Sequence, residues 1–138
     1  MYETDYILRV IEQAGIFLRA MLAELREQRP GEVIETSRDA LLLLLGTPPT
    51  LAESLTPDGL VAILSAGGVF DAKRGRLAAE VFVRRSQANA LRGEQTRAAS
   101  ERAKAERLLA LVLECGDEDD VAEASALREE LGAPGEPT

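Results

Sequence analysis

Histidine and tryptophan are absent from these 138 residues, and cysteine occurs once, as Cys115. Without imidazole there is no Ser-His-Asp or Cys-His nucleophile pair, and with a single thiol and no His a zinc site is not expected. One cysteine closes no internal disulfide, which makes the cytoplasm the expected compartment. Cys115 lies between Glu114 and Asp117 near the end of a helical segment. Those carboxylates and the negative helix end oppose a thiolate, so Cys115 is expected as a buried or half-buried structural residue. Only five residues are Phe or Tyr, too few for a sheet-rich fold. The longest unbroken aliphatic run is Leu41 to Leu45, far short of a bilayer span. The first residues carry Glu3 and Asp5 rather than Lys or Arg, so neither a secretory leader nor a membrane association is expected.

Glycine-rich phosphate loops and nucleophile elbows are missing too: no G-x-x-x-x-G-K-[ST], G-x-G-x-x-G or G-x-S-x-G occurs. Lys73 and Lys104 have no serine motif beside them, and the 24 carboxylates single out no acid–base pair. The expectation is a protein that is not an enzyme, with no cofactor and no metal. The run Asp117, Glu118, Asp119, Asp120 lacks the alternation and turn glycine of a calcium loop. It is read instead as acid at a helix start, where it complements the positive end of the dipole.

Leu, Ala, Glu and Arg are plentiful, and all are good helix formers. Apolar residues recur at spacings of three and four. Ile7, Ile11, Ala14, Leu18, Met21 and Leu25, widened by Tyr2, Tyr6, Val10, Phe17 and Leu22, predict a first helix from about residue 4, capped by Thr4, to residue 28. That face is expected to bury its large side chains in a core. A second helix, 31–45, ends at Gly46 ahead of Pro48 and Pro49. Thr56-Pro57-Asp58 opens a short third over 57–66. Asp71 caps a fourth over 72–92, Gly93 separates a fifth over 94–115, and Gly116, placed as a left-handed C-cap, precedes a last helix opened by Asp117 and reaching Leu131. No segment alternates in the strand manner. The fold class predicted is all-α: antiparallel helix hairpins in one domain over residues 1–132, about five or six helices, with 133–138 as a flexible tail.

The segment from Gly93, GEQTRAASERAKAERLL, resembles the second half of a tetratricopeptide repeat. A glycine precedes the second helix of that pattern, and small residues seven apart, here Ala98 and Ala105, mark where paired helices touch. Arg102, Ser86 and Asn89 depart from its usual residues, and its closing proline is missing. Over most of residues 1–115 the chain is similar to a bacterial family of short all-helical, tetratricopeptide-like proteins opening Met-Tyr-x-x-Asp-Tyr-Ile. The resemblance is carried by MYETDYILRVIEQ, LLLLLG, SLTPDGLVAILSAGG, and DAK followed by Leu77-Ala78. It implies the fold and no activity.

Charge is the most informative feature. The net charge is −8, yet residues 73–107 hold ten basic and four acidic side chains between two acidic flanks. Arg85 and Arg92 are seven apart on one helix, Arg97 and Lys104 seven apart on the next, and Arg74 lies near the start of the first. Arg74, Arg85, Arg92, Arg97 and Lys104 are the candidate partner-binding residues. One reading is a positive surface for an acidic peptide. The other is a set of arginines solvated or packed beside the protein's own acidic first and last helices. An RNA- or anion-binding adaptor is the alternative function; nucleic acid is the weaker partner, because the net charge is negative and no aromatic residue interleaves the arginines to stack bases. The function expected is a non-catalytic protein–protein interaction or scaffold module. The wide first-helix face and the leucine run also suggest a homodimer.

Overall fold

The computed structural model describes residues 2–132, with side chains from residue 5 onward. The expected tail at 133–138 and the packing of the Tyr2 side chain lie outside the described residues. Among the described residues seven helices follow one another: α1 (Tyr2–Arg26), α2 (Pro30–Leu45), α3 (Pro49–Ser54), α4 (Pro57–Leu64), α5 (Ala72–Leu91), α6 (Gln95–Cys115) and α7 (Glu118–Leu131). No strand occurs among the described residues. The helix beyond the expected five or six is α3. Pro48 and Pro49 do stop α2, but Pro49 also occupies the first turn of a new helix, where its fixed φ is an advantage.

The caps explain the boundaries. Thr56 Oγ1 accepts the Gly59 N–H at 3.0 Å and starts α4. Asp71 Oδ1 accepts the Arg74 N–H at 3.1 Å and starts α5, and Asp117 Oδ1 accepts the Asp120 N–H at 2.9 Å and starts α7. Gly46, at φ 68°, closes α2 in the left-handed conformation, with its N–H on the Leu42 carbonyl. Gln28 takes positive φ in the turn between α1 and α2. Gly116 departs from expectation: its φ of −76° and ψ of 162° are extended, not left-handed. Glycine is required there for space, since a Cβ would lie 2.7 Å from the Val112 carbonyl oxygen. The backbone of α1 begins at Tyr2, ahead of Thr4.

Two- and three-residue connections fold α1 onto α2, α5 onto α6 and α6 onto α7. Helix α5 is the spine, packed against α1, α2, α6 and α7, while α4 rests on α6 and α3 on α2. Phe82, Met21, Leu41, Leu44, Leu60 and Leu108 are wholly enclosed, each contributing about 1.5–3 kcal/mol by burial. From α1 the core receives Val10, Ala14, Leu18 and Met21, with Ile11, Phe17 and Leu25 at its edge. Tyr6 and Ile7, expected in that core, are exposed, at the edge of a recess they share with Leu43 and Arg74. In the leucine run Leu41, Leu44 and Leu45 are buried, and Leu42 faces solvent.

Candidate functional site

Arg85 follows Val81 by four residues and Phe82 by three, so it shares their buried face of α5. Lys104 stands on α6 three residues after Glu101 and four before Leu108, likewise on the buried face. Where these faces meet α2 and α3, the chain builds an ionic network. Arg85 Nε and Nη2 donate to the two oxygens of Glu101, both at 3.1 Å. Its Nη2 also donates to Glu53 Oε2 at 2.9 Å, and its Nη1 to Ser37 Oγ at 2.6 Å. Ser37 Oγ in turn donates to the Ile34 carbonyl at 2.6 Å. Arg38 Nε reaches the same Glu53 oxygen at 3.2 Å. Lys104 Nζ donates to the Glu53 backbone carbonyl at 2.9 Å and lies 5.4 Å from the centre of the Phe82 ring.

Beside this network a cleft of about 340 Å³ opens, lined by Arg38, Glu53, Arg85, Arg97, Ser100, Glu101 and Lys104. Four basic and two acidic side chains leave two positive charges in excess. Burial works against the charge of Arg85, and Glu101 with Glu53 overcomes it, so its pKa is raised and it stays a cation. Burial alone pushes the Glu53 carboxyl up, but Arg85 and Arg38 bring it below the ordinary value. For Lys104 burial prevails over the attraction of Glu101 and Glu53, and its pKa is lowered. Among the described residues Lys104 forms no ion pair, in contrast to Arg85.

Of the five residues expected from sequence, Arg85, Arg97 and Lys104 come together in this cleft. Arg85 and Lys104 are 4 % exposed and form its inner wall; Arg97 is exposed at its rim, 3.7 Å from Glu94. Arg74 is elsewhere. It donates to the Leu44 carbonyl, pairs with Asp71, and lines a recess with Tyr6, Ile7, Val10 and Leu43. Arg92, seven after Arg85, does not share its surroundings: it lies just past the last turn of α5, as its exposed C-cap. Sequence reasoning missed Arg38, Glu53, Ser100 and Glu101. Glu101 carries a legible signal, standing four before Ala105 and seven before Leu108 on an otherwise apolar face.

The rest of the basic segment meets acidic partners, some enclosed and some at the surface. Lys73 Nζ and Arg76 Nε reach Asp120 at 3.5 and 3.0 Å. Arg84 pairs with Glu80 and Glu130, and Arg107 with Asp58. The acidic start of α7 is thus both a cap and a docking point for α5. Cys115, expected to be buried or half-buried, is exposed as the last residue of α6, although it follows the buried Val112 by three and Leu108 by seven. A larger, shallower concavity of about 620 Å³ runs between α1 and α5, lined by Ile11, Ile16, Leu22 and Leu77 with Arg76 and Glu80. No helix among the described residues is long and apolar enough to cross a membrane. Comparison with protein-family models, with curated proteins and with solved structures finds no match to the chain.

Proposed function

We propose that the protein is a non-catalytic protein–protein interaction module, a scaffold with tetratricopeptide-like helix pairing that works in the cytoplasm. The observation that carries this reading is the cleft: four separated stretches of chain, from α2, α3, α5 and α6, converge on a recess whose walls are locked by hydrogen bonds and whose cations outnumber its carboxylates. A locked, concave, charged surface suits recognition of a partner. The repeat-like pairing is supported by the packing order. Helices α5, α6 and α7 touch one another mutually, as do α1, α2 and α5. Ala98 and Ala105 are buried where α5 meets α6, and Ser86 Oγ donates to the Ala98 carbonyl at 3.1 Å. The absence of catalysis is supported by the chemistry of the walls, since both Glu53 and Glu101 are tied to guanidinium groups and neither is available as a base.

The cation excess also favours the alternative of an RNA- or anion-binding adaptor, although no aromatic side chain lines the cleft to stack a base. A second copy of the chain is a further partner for the exposed Tyr6, Ile7, Leu8 and Ile16 of α1, and light scattering reads the dimer directly. The main reading is tested by capture from source-cell lysate in moderate salt, using wild type and the double variant Arg38→Glu/Arg97→Glu. The expected result is a discrete protein, retained after nuclease treatment by the wild type and released by the variant. Retention of RNA alone, or of nothing, overturns it.

A further inference from the structure

We infer that the cleft bounded by α3, α5 and α6 is a carboxylate-binding subsite, in which an acidic side chain of a partner peptide enters between Arg38 and Arg97 and pairs with the Lys104 ammonium. The inference rests on the interaction-module reading and supplies the chemistry of the partner.

Arg85 spends four of its five N–H donors on Glu101, Glu53 and Ser37. It is framework, and the two carboxylates beside it are spoken for. Lys104 is different. Its ammonium carries three donors, yet the hydrogen bond it makes goes to the Glu53 backbone carbonyl, a neutral acceptor, and no carboxylate pairs with it among the described residues. A residue 4 % exposed and holding an unpaired charge is costly to the fold. The Phe82 ring at 5.4 Å offsets part of that cost. Burial, with the nearby Arg85 cation, lowers the pKa of Lys104, and the attraction of Glu101 and Glu53 does not make up the difference. An entering anion supplies the missing counter-charge.

The same walls select the anion. One unpaired ammonium at the floor matches a single negative charge. A phosphate dianion would place a second charge beside Glu53 and Glu101, which face the same space. At the rim, Arg38 and Arg97 have side chains 48 % and 69 % exposed and are only lightly held, by Glu53 and Glu94. Both can turn onto flanking acids of an extended peptide, and Ser100 adds a hydroxyl to the lining.

The test is fluorescence anisotropy with a labelled oligoglutamate peptide and an oligoglutamine of equal length, in moderate salt. Oligoglutamate is expected to bind and oligoglutamine not. Lys104→Met, which keeps the apolar stem, and Arg97→Glu are each expected to weaken binding by about tenfold or more, the scale of a charge-assisted hydrogen bond. Arg92→Glu, exposed and outside the cleft, is expected to stay within about twofold of wild type. Circular dichroism reports the folding of Lys104→Met; Arg97→Glu, on an exposed side chain, decides the matter if the first variant does not fold. Equal binding of the two peptides, equal losses for Arg92→Glu and Arg97→Glu, or displacement of the peptide by an oligouridylate overturns the inference. If oligoglutamate fails while a lysate protein is still released by Arg38→Glu/Arg97→Glu, the interaction module stands and the carboxylate subsite falls. If neither is retained, both fall.

Discussion

Replacing Arg85 by Met removes the cation at the centre of the buried network while keeping a stem of similar length. Three groups lose a partner, unequally. Glu101 loses both guanidinium hydrogen bonds, and its side chain is only 8 % exposed. Glu53 keeps Arg38 at 3.2 Å and is more open to water. Ser37 keeps its bond to the Ile34 carbonyl. The loss therefore falls mainly on Glu101. Breaking a buried pair from one side costs about 3–5 kcal/mol, and a single stranded carboxylate places this variant near the lower figure. For a chain of this length, about 3 kcal/mol lowers Tm by roughly 10 °C. Urea unfolding followed by the helical far-UV signal measures it. Glu101→Gln leaves Arg85 with Glu53 and is expected to cost less, about 1–3 kcal/mol. The double variant Arg85→Met/Glu101→Met strands neither charge of the pair, so its loss should be well below the sum of the two singles. Acid adds a further signature. The Glu53 carboxyl is held below its ordinary pKa by Arg85 and Arg38, so its contribution is present above the ordinary carboxylate range and fades as pH falls through the lowered value. Without Arg85 that fading should be weaker. A loss under about 1 kcal/mol for Arg85→Met, the scale of an exposed ion pair, refutes the reasoning.

Gly116→Ala is expected to cost about 1–3 kcal/mol, because its Cβ meets the Val112 carbonyl oxygen at 2.7 Å and the Asp120 Cβ at 3.0 Å. Gly31→Ala, which meets nothing within 4 Å in the first turn of α2, should instead gain about 0.4–1 kcal/mol; calorimetric Tm values separate the two. Burial raises the Glu80 carboxyl above its ordinary pKa despite Arg84 and Arg76. The native state therefore binds that proton more tightly than the unfolded chain, and Glu80 detracts from stability as pH rises through the raised value. Glu80→Gln leaves Arg84 its Glu130 partner and should match or exceed wild type at neutral pH, losing any advantage in acid; a deficit above about 1 kcal/mol in neutral urea titrations sinks this. The exposed Cys115 thiol should react with Ellman's reagent in native buffer at close to the rate in denaturant, and slow labelling would contradict its placement.

The helices were legible because their signals are local. Thr56-Pro57, Asp71 and Asp117 announce helix starts, and each side chain accepts the backbone N–H expected of a cap. Apolar spacing located α5 and α6 to within a residue or two. Legibility failed where the deciding contact is distant in sequence. Nothing around Tyr6 and Ile7 in the sequence says that they stay exposed while Val10 and Ala14 of the same stripe are enclosed. The pair of prolines at 48 and 49 reads equally as a stop and as a start, and only the packing of α3 on α2 settles which. The cleft was half legible. Arg85 and Lys104 sit at positions that an apolar helix face assigns to the interior, and for Arg85 that is the mark of a charge with buried partners. Spacing along the chain does not reveal that partners 16, 32 and 48 residues away supply the oxygens.

The segment of reversed charge also has a role in placing α7. That helix buries little: Ala124 and Leu127 are its enclosed apolar residues, with Leu131 at the edge of the core. Such burial is worth only a few kcal/mol, and a small apolar contact is permissive about rotation and sliding. Asp120, 2 % exposed, meets Lys73 and Arg76 from α5, while Glu130 near the other end meets Arg84. Two charged contacts ten residues apart on one helix fix both its rotation and its position along α5. Their net energy is small, because exposed pairs gain little and buried pairs lose to desolvation most of what they gain. Their effect is on choice among arrangements: a register shifted by one turn leaves Asp120 buried without a cation. The arginines of the middle segment therefore divide by burial. Arg76, Arg84 and Arg85 hold the helices in register, while Arg92 and Arg97 stay at the surface.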